Sequence, residues 1–214
     1  MVKIEIDHLR KEYYSDSLDE STIDPDPFKQ FSLWFDEVLK AGIEEPSAMF
    51  LATASNDGVP SGRIVLLKEF DDKGFVFYTN YDSRKGREIN ENPWVSIVFH
   101  WKELERQVRI TGKTKKIEII ESDTYFKSRP YESQVSASIS PQSEVIPNRI
   151  FLVHLREEFI EKNKGRDLKR PDSWGGYQIV PFSFEFWVGR KYRIHDRIQY
   201  RKTGNSWIIE RLAP

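Results

Sequence analysis

Between residues 48 and 79 the chain reads as strand-sized runs set off by the turn residues Asn56-Asp57-Gly58 and Asp71-Asp72-Lys73-Gly74. Connections this short join antiparallel neighbours, since a parallel crossover needs a dozen residues or more. Strands are therefore expected over 48–55, 61–70 and 75–79. The pattern continues over 94–101 and 105–117. It returns over 183–188, 194–201 and 207–212, joined by Gly189-Arg190 and Thr203-Gly204-Asn205. Many short antiparallel strands with few helices imply a mainly β (α+β) fold with a closed or nearly closed barrel, because closure removes exposed sheet edges.

Helices interrupt this pattern. Asp26 is placed to cap, Pro27 suits a first turn and Gly42 a stop, with Phe28, Phe31, Phe35, Val38 and Leu39 on one face. Further helices are expected over 83–90, 120–128 and 148–162, then a basic loop over 164–173. Residues 1–25 are polar and mixed, and read as a flexible arm ahead of a single domain over 26–214.

Composition excludes several classes of function. Lys and Arg total 33 against 34 Asp and Glu, a net charge of -1, so no general basic footprint for nucleic acid or anionic membrane exists. Any anion recognition must be local. The chain has no cysteine, which removes disulfides, thiolate metal sites and cysteine nucleophiles. His8, His100, His154 and His195 are scattered without metal-ligand spacing. There is no phosphate loop, dinucleotide fingerprint or nucleophile elbow. Acids near the N-terminus and the absence of a span-length apolar run lead us to expect a soluble cytoplasmic protein.

Four constellations concentrate chemistry. Asn80-Tyr81-Asp82-Ser83-Arg84-Lys85 ends a strand and opens a helix, with Ser83 placed to cap. Cations in a first turn oppose the helix dipole at a cost of ~0.3–1 kcal/mol each. A phosphate there removes the conflict, with both cations directed at one dianion; a solvated basic turn is an equal contender. In the run from Arg63 to Lys68 the two cations face opposite sides of a regular strand. Either a bulge intervenes or a ligand spans an edge or subunit boundary; two surface cations are the plainer alternative. Tyr125 and Arg129 share a helix face ended by Pro130, and with Ser133 offer donors suited to a phosphate monoester. An ordinary helix terminus would also explain them. On a strand, Arg193, His195 and Arg197 point the same way, which calls for an anion or a π-system among them.

With these residues in view, the chain resembles the pyridoxine (pyridoxamine) 5′-phosphate oxidase family. The markers run in order through His8-Leu9-Arg10-Lys11-Glu12-Tyr13, 63–68, Phe77-Tyr78-Thr79-Asn80, Ser83-Arg84-Lys85, Leu104-Glu105-Arg106-Gln107-Val108, Ser128-Arg129-Pro130, Glu132-Ser133-Gln134, Pro141-Gln142-Ser143, Phe186-Trp187 and His195-Asp196-Arg197. The resemblance implies an antiparallel split β-barrel with flanking helices, a homodimer, and flavin mononucleotide (FMN) at the subunit interface. It implies cofactor contacts from Arg63, Ile64, Val65, Leu66, Leu67, Lys68, Tyr78, Thr79, Arg84, Lys85, Gln107, Gln142, Ser143, Trp187 and Arg197. For the substrate it implies Lys68, Tyr125, Arg129 and Ser133 at the phosphate. Arg193, Ile194 and His195 would lie at the pyridine ring, with Arg193 and His195 in catalytic roles. Arg10 and Tyr13 would close over the ring as a lid, with Lys11 and Glu12 also binding substrate. Glu45 stands before Pro46 where the family often carries Asp.

The implied activity is FMN-dependent oxidation of pyridoxine or pyridoxamine 5′-phosphate to pyridoxal 5′-phosphate by O2, with hydrogen peroxide released. Two alternatives differ in kind. Another split-barrel flavin reductase would keep Arg63 and Arg84-Lys85 without the Tyr125, Arg129 and Ser133 set. A non-enzymatic module binding flavin or pyridoxal phosphate would make no peroxide.

Overall fold

The computed structural model describes residues 12–15 and 17–214. Among these the elements run α1 (Pro27–Lys40), β1 (Ala48–Ala54), β2 (Pro60–Leu66), β3 (Glu69–Asp71), β4 (Gly74–Asn80), α2 (Arg84–Glu91), β5 (Trp94–Trp101) and β6 (Arg106–Lys116). There follow α3 (Ile119–Ser128), α4 (Tyr131–Ile139), α5 (Arg149–Lys162), β7 (Trp174–Val188), β8 (Asp196–Thr203) and β9 (Ser206–Arg211). The strands pair in the order β2-β1-β5-β6-β7-β4-β3, with β8 on β7 and β9 on β8. β1 with β2, β3 with β4, β4 with β7, β7 with β8 and β8 with β9 all pair antiparallel. No described helix is long and apolar enough to cross a membrane.

The chain divides into two compact units. One takes in the chain up to Pro46, Val98–Ile110 and Phe182–Pro214; the other takes in Ser47–Ile97 and Thr111–Pro181. In the first, α1 begins where Asp26 accepts a hydrogen bond from the Phe28 amide at 2.9 Å. Its buried face carries Phe31, Trp34 and Val38. Phe31 meets Phe99 with ring centroids 5.1 Å apart, and Trp34 meets Phe186 edge-on at 5.1 Å. Leu39, expected on that face, is exposed instead. Positions 31, 34 and 38 fill the stripe at i, i+3 and i+7, and Leu39 falls a further 100° round. In the second unit, Met49, Leu51, Phe75, Phe77, Ile97 and Ile179 are fully buried. A smaller cluster of Phe126, Val135, Leu168 and Trp174 forms beside them.

Four sequence expectations are corrected. The strand expected over 61–70 is two strands. β2 pairs with β1 up to Leu66, and β3 pairs with β4 from Glu69. Between them the Leu67 amide donates to Ser47 O and the Lys68 amide to Val76 O, both at 2.9 Å. The chain changes partner there, so strand alternation does not relate Arg63 to Lys68. Pro130 ends α3 but also caps a further helix, α4, that was not expected. β7 starts at Trp174, nine residues early, because Gly175, Gly176 and Pro181 mask its strand pattern. Its first part pairs with β4 and its last part with β8. Finally, β8 begins at Asp196. Lys191–Arg193 form a 3-10 turn with Tyr192 at φ 59° and Arg193 at φ 63°. Of Arg193, His195 and Arg197, only Arg197 lies in a strand, so their expected shared face does not exist.

Candidate functional site

α2 opens as the sequence implies. The Ser83 hydroxyl accepts from the Gly86 amide at 3.3 Å, and no acid occupies the first turn. Lys85 folds back toward β4. Its Nζ donates to Thr79 Oγ1 at 3.0 Å, Ser83 Oγ at 3.2 Å and Gln142 Oε1 at 2.7 Å. All three are neutral oxygens, so the ammonium has no carboxylate within this set. Burial pushes Lys85 down to about 8, and the nearby Arg63 guanidinium acts in the same direction. An anion at this position would relieve both effects. Gly86 lets the turn form at close quarters: a Cβ there would stand 2.0 Å from Tyr81 O.

Arg84 departs from expectation. It does not join Lys85 but donates from Nε to Glu88 Oε1 at 2.8 Å, one helical turn on. Glu88 is buried and serves several donors. Its Oε2 accepts from Ser61 Oγ at 2.5 Å and from the Thr53 hydroxyl, and Arg63 Nη2 lies 3.4 Å away. Burial alone would raise this carboxyl. The bonds from Ser61, Thr53 and Arg84, with the Arg63 charge, outweigh it and bring it down to about 2. Arg63 also donates from Nη1 to Leu51 O at 3.2 Å and Thr53 Oγ1 at 2.6 Å, which fixes its guanidinium between β1 and β2. Glu88 was not among the expected site residues; its place four residues after Arg84 was the available signal.

Tyr78 and Thr79 are adjacent on β4 and so project to opposite faces. On the Tyr78 side an aromatic stack forms. Tyr78 lies 3.9 Å from Tyr125 and 5.4 Å from Trp174, centroid to centroid, at interplanar angles of 21° and 15°. Burial raises both phenols, Tyr78 up to about 12, so both remain donors at neutral pH. The Arg129 guanidinium sits over the Trp174 ring, 4.6 Å from its centroid. Its Nη1 is buried and has no hydrogen-bond partner among the described residues. Burial lowers its pKa, with Tyr125 acting in the opposite sense. A cavity of about 360 Å³, lined by Glu69, Tyr78, Glu121, Tyr125 and Ser128, opens beside the stack. Ser133 stands in the first turn of α4.

In the other unit, Tyr13, Trp187 and His195 gather. Tyr13 meets Trp187 edge-on at 5.6 Å and His195 at 5.4 Å; Trp187 and His195 are 4.8 Å apart. His195 Nδ1 accepts from the Arg190 amide at 3.0 Å, so a neutral ring carries its proton on Nε2. Burial, then the Arg193 charge, lowers its pKa and favours that neutral form. Arg193 itself is exposed, as is Ile194. The segment behind Tyr13 is tied down: Glu105 Oε2 accepts from the Tyr14 and Ser15 amides at 2.7 and 3.2 Å, and Leu18 is buried. Arg197 donates to Glu185 Oε1 at 2.9 Å and Ala213 O at 2.7 Å.

The remaining expected residues among those described lie on β2, on β6 and in the connecting segments. On β2, Ile64 and Leu66 are exposed and Val65 partly so; Leu67 is buried and Lys68 exposed beyond its end. Gln107 is half-buried on β6, Ser143 sits in a turn at φ 74°, and Glu12 is exposed. Arg10 and Lys11 lie outside the described residues.

Comparison with known proteins places this geometry. Residues 35–160 match the family model described as pyridoxamine 5′-phosphate oxidase. Residues 174–214 match that of the pyridoxine 5′-phosphate oxidase C-terminal dimerisation region. The pyridoxine/pyridoxamine 5′-phosphate oxidase of Trichormus variabilis is 49% identical over 207 residues, 96% of this chain and 97% of the relative. That of a Cyanothece species is 48% identical over 211 residues, 99% of both. Among solved structures, PhzG from Burkholderia lata 383 in complex with tetrahydrophenazine-1-carboxylic acid superposes with a TM-score of 0.87 at 32% identity, covering 94% of this chain and 99% of that one. The fold is thus the split β-barrel with flanking helices expected from the sequence. On the two family models and relatives near half identical along almost its whole length, the chain belongs to the pyridoxamine 5′-phosphate oxidase family.

Proposed function

We propose that the protein oxidises pyridoxine 5′-phosphate and pyridoxamine 5′-phosphate to pyridoxal 5′-phosphate, with FMN as cofactor and O2 as acceptor, releasing hydrogen peroxide. One observation carries this reading: two cations, Lys85 and Arg129, lack carboxylate partners among the described residues, Lys85 against Thr79 and Arg129 against the ring stack on Tyr78, adjacent residues that face opposite sides of β4. A phosphorylated cofactor and a phosphorylated substrate call for two such places. Family membership and the names of its near-half-identical relatives support the same reaction.

The residues fit FMN at Lys85. The ammonium, the Thr79 hydroxyl and the start of α2 supply cationic and neutral donors for a phosphoryl group, and Gln142 brings its amide to the same point. Arg63, held by Thr53 and Glu88, adds positive charge nearby. When bound, FMN would supply the two-electron oxidation, for which this cysteine-free chain has no redox side chain of its own. The chain's own residues bind and orient. Arg129, Tyr125, Ser133 and Lys68 receive the substrate phosphate. Arg193 holds the pyridine ring, and His195 offers its Nε2 proton to a ring substituent. Arg10 and Tyr13 close over it, and Lys11 and Glu12 add substrate contacts. The protein works as a cytoplasmic homodimer with FMN at the subunit interface, in keeping with the match of residues 174–214 to a dimerisation region and the exposed Ile64 and Leu66.

The test is direct. FMN-loaded protein is mixed without oxygen with pyridoxine 5′-phosphate, then aired. The expected result is bleaching of the flavin absorbance, its return in air, and one peroxide per pyridoxal phosphate. A flavin spectrum that stays unchanged, with no aldehyde formed, rejects the reading.

A further inference from the structure

We infer that Trp174 is a positioning residue for the substrate phosphate: its indole holds the Arg129 guanidinium in place. The inference rests on the proposed role of Arg129.

Arg129 needs such a support. It is the residue after α3, with φ -71° and ψ 150°, and it precedes Pro130. The backbone has left the helical conformation there, so the helix no longer sets the direction of the side chain. The Arg129 carbonyl accepts from Gln134 Nε2 at 2.8 Å, which secures the main chain and not the guanidinium. The cation instead sits over Trp174. A π-face attracts a guanidinium without occupying its N–H groups. Its in-plane edge therefore stays open to a ligand, and Nη1 is buried with no hydrogen-bond partner among the described residues. A carboxylate partner would have fixed Arg129 by neutralising it and consuming those donors.

Trp174 is itself fixed. It is 5% exposed, pairs with Asn80 at the start of β7, and its carbonyl accepts from Arg170, which is paired with Asp123 at 2.6 Å. Its ring packs against Phe126 and stacks with Tyr78, which in turn stacks with Tyr125, a second proposed phosphate donor. One rigid indole thus sets both a guanidinium and, through Tyr78, a phenol. That arrangement suits a phosphate monoester, which takes several converging donors.

The experiment is a double-mutant cycle on the FMN-loaded enzyme with W174L, R129A and the pair. Its readouts are kcat and KM for pyridoxine 5′-phosphate, the inhibition constant of inorganic phosphate, and FMN affinity. W174L is expected to raise KM and the phosphate inhibition constant about tenfold, far more than it lowers kcat, with FMN affinity held. W174F, which keeps a π-face, is expected to recover most of the loss. In the R129A background W174L is expected to add less than about twofold. Independent, multiplying effects of the two substitutions would overturn the inference, as would a W174F enzyme no better than W174L. If W174L does not accumulate, W174M, which also fills the space without a π-face, carries the same cycle. If R129A alone leaves KM unchanged, the role of Arg129 falls and this inference with it. If R129A impairs and W174L does not, only the inference about Trp174 falls.

Discussion

Lys85 Nζ and Gln142 Oε1, 57 positions apart in the chain, are 2.7 Å apart in the fold. The contact joins the first turn of α2 to the turn after α4, and it places an ammonium among neutral oxygens. Burial brings Lys85 down to about 8.

The first consequence is a pH dependence of cofactor binding. A protonated Lys85 is needed to attract a phosphoryl group, so FMN affinity is expected to fall as pH rises through about 8. K85R, whose guanidinium stays charged, is expected to flatten that fall. Flavin fluorescence titrations across the range check it. The sign for stability is opposite to that of a gained ion pair. The folded pKa lies below the ordinary 10.5, so the unfolded chain binds more protons between about 8 and 10.5 and stability of the FMN-free protein rises with pH there.

Glu88 predicts the behaviour in acid. Its folded pKa, about 2, is below the ordinary 4.5. The stability it contributes is complete above 4.5 and is lost as pH falls from there toward 2. E88Q is expected to cost about 1–3 kcal/mol at neutral pH and to remove that part of the acid dependence. Urea midpoints of both proteins, measured from neutral pH downward, give the comparison.

Gly86 predicts a steric effect close to the cofactor. The added methyl of G86A would meet Tyr81 O, a backbone atom that cannot swing aside. We expect a loss of about 1–3 kcal/mol in stability and weaker FMN binding, because Lys85 moves with the turn. Thermal unfolding with and without FMN separates the two effects.

Arg193 occupies a left-handed conformation, φ 63°, in the turn before β8. If it holds the pyridine ring, R193A lowers kcat/KM at least tenfold, about 1.4 kcal/mol of transition-state stabilisation, and leaves FMN affinity intact. Steady-state kinetics on the FMN-loaded variant decide this.

Most of the strands were legible because alternation and turn chemistry are local. Asp26, Ser83 and Asn148 cap their helices through side chains that the sequence displays. The misreadings arose where a non-local choice prevailed. Leu67 and Lys68 look like strand interior, yet the chain changes partner there. Ile194 and His195 alternate correctly but sit in a turn strained at Tyr192 and Arg193. Arg84 and Lys85 looked like one cationic pair, and only the fold shows Glu88 separating them. Trp174-Gly175-Gly176 suggests packing or flat stacking, but not the Arg129 cation over the indole, because a cation over a ring depends on elements far apart in the chain.

The central claim is that Lys85 and Arg129 grip two different phosphoryl groups, and a crystal structure with FMN and pyridoxal 5′-phosphate bound tests it most directly. The account predicts a flavin phosphoryl oxygen within about 2.7–3.2 Å of Lys85 Nζ and a substrate phosphate oxygen at the same range from Arg129 Nη1. Both phosphoryl groups bound elsewhere, with Lys85 still on Gln142 and Arg129 Nη1 still unpartnered, would contradict it.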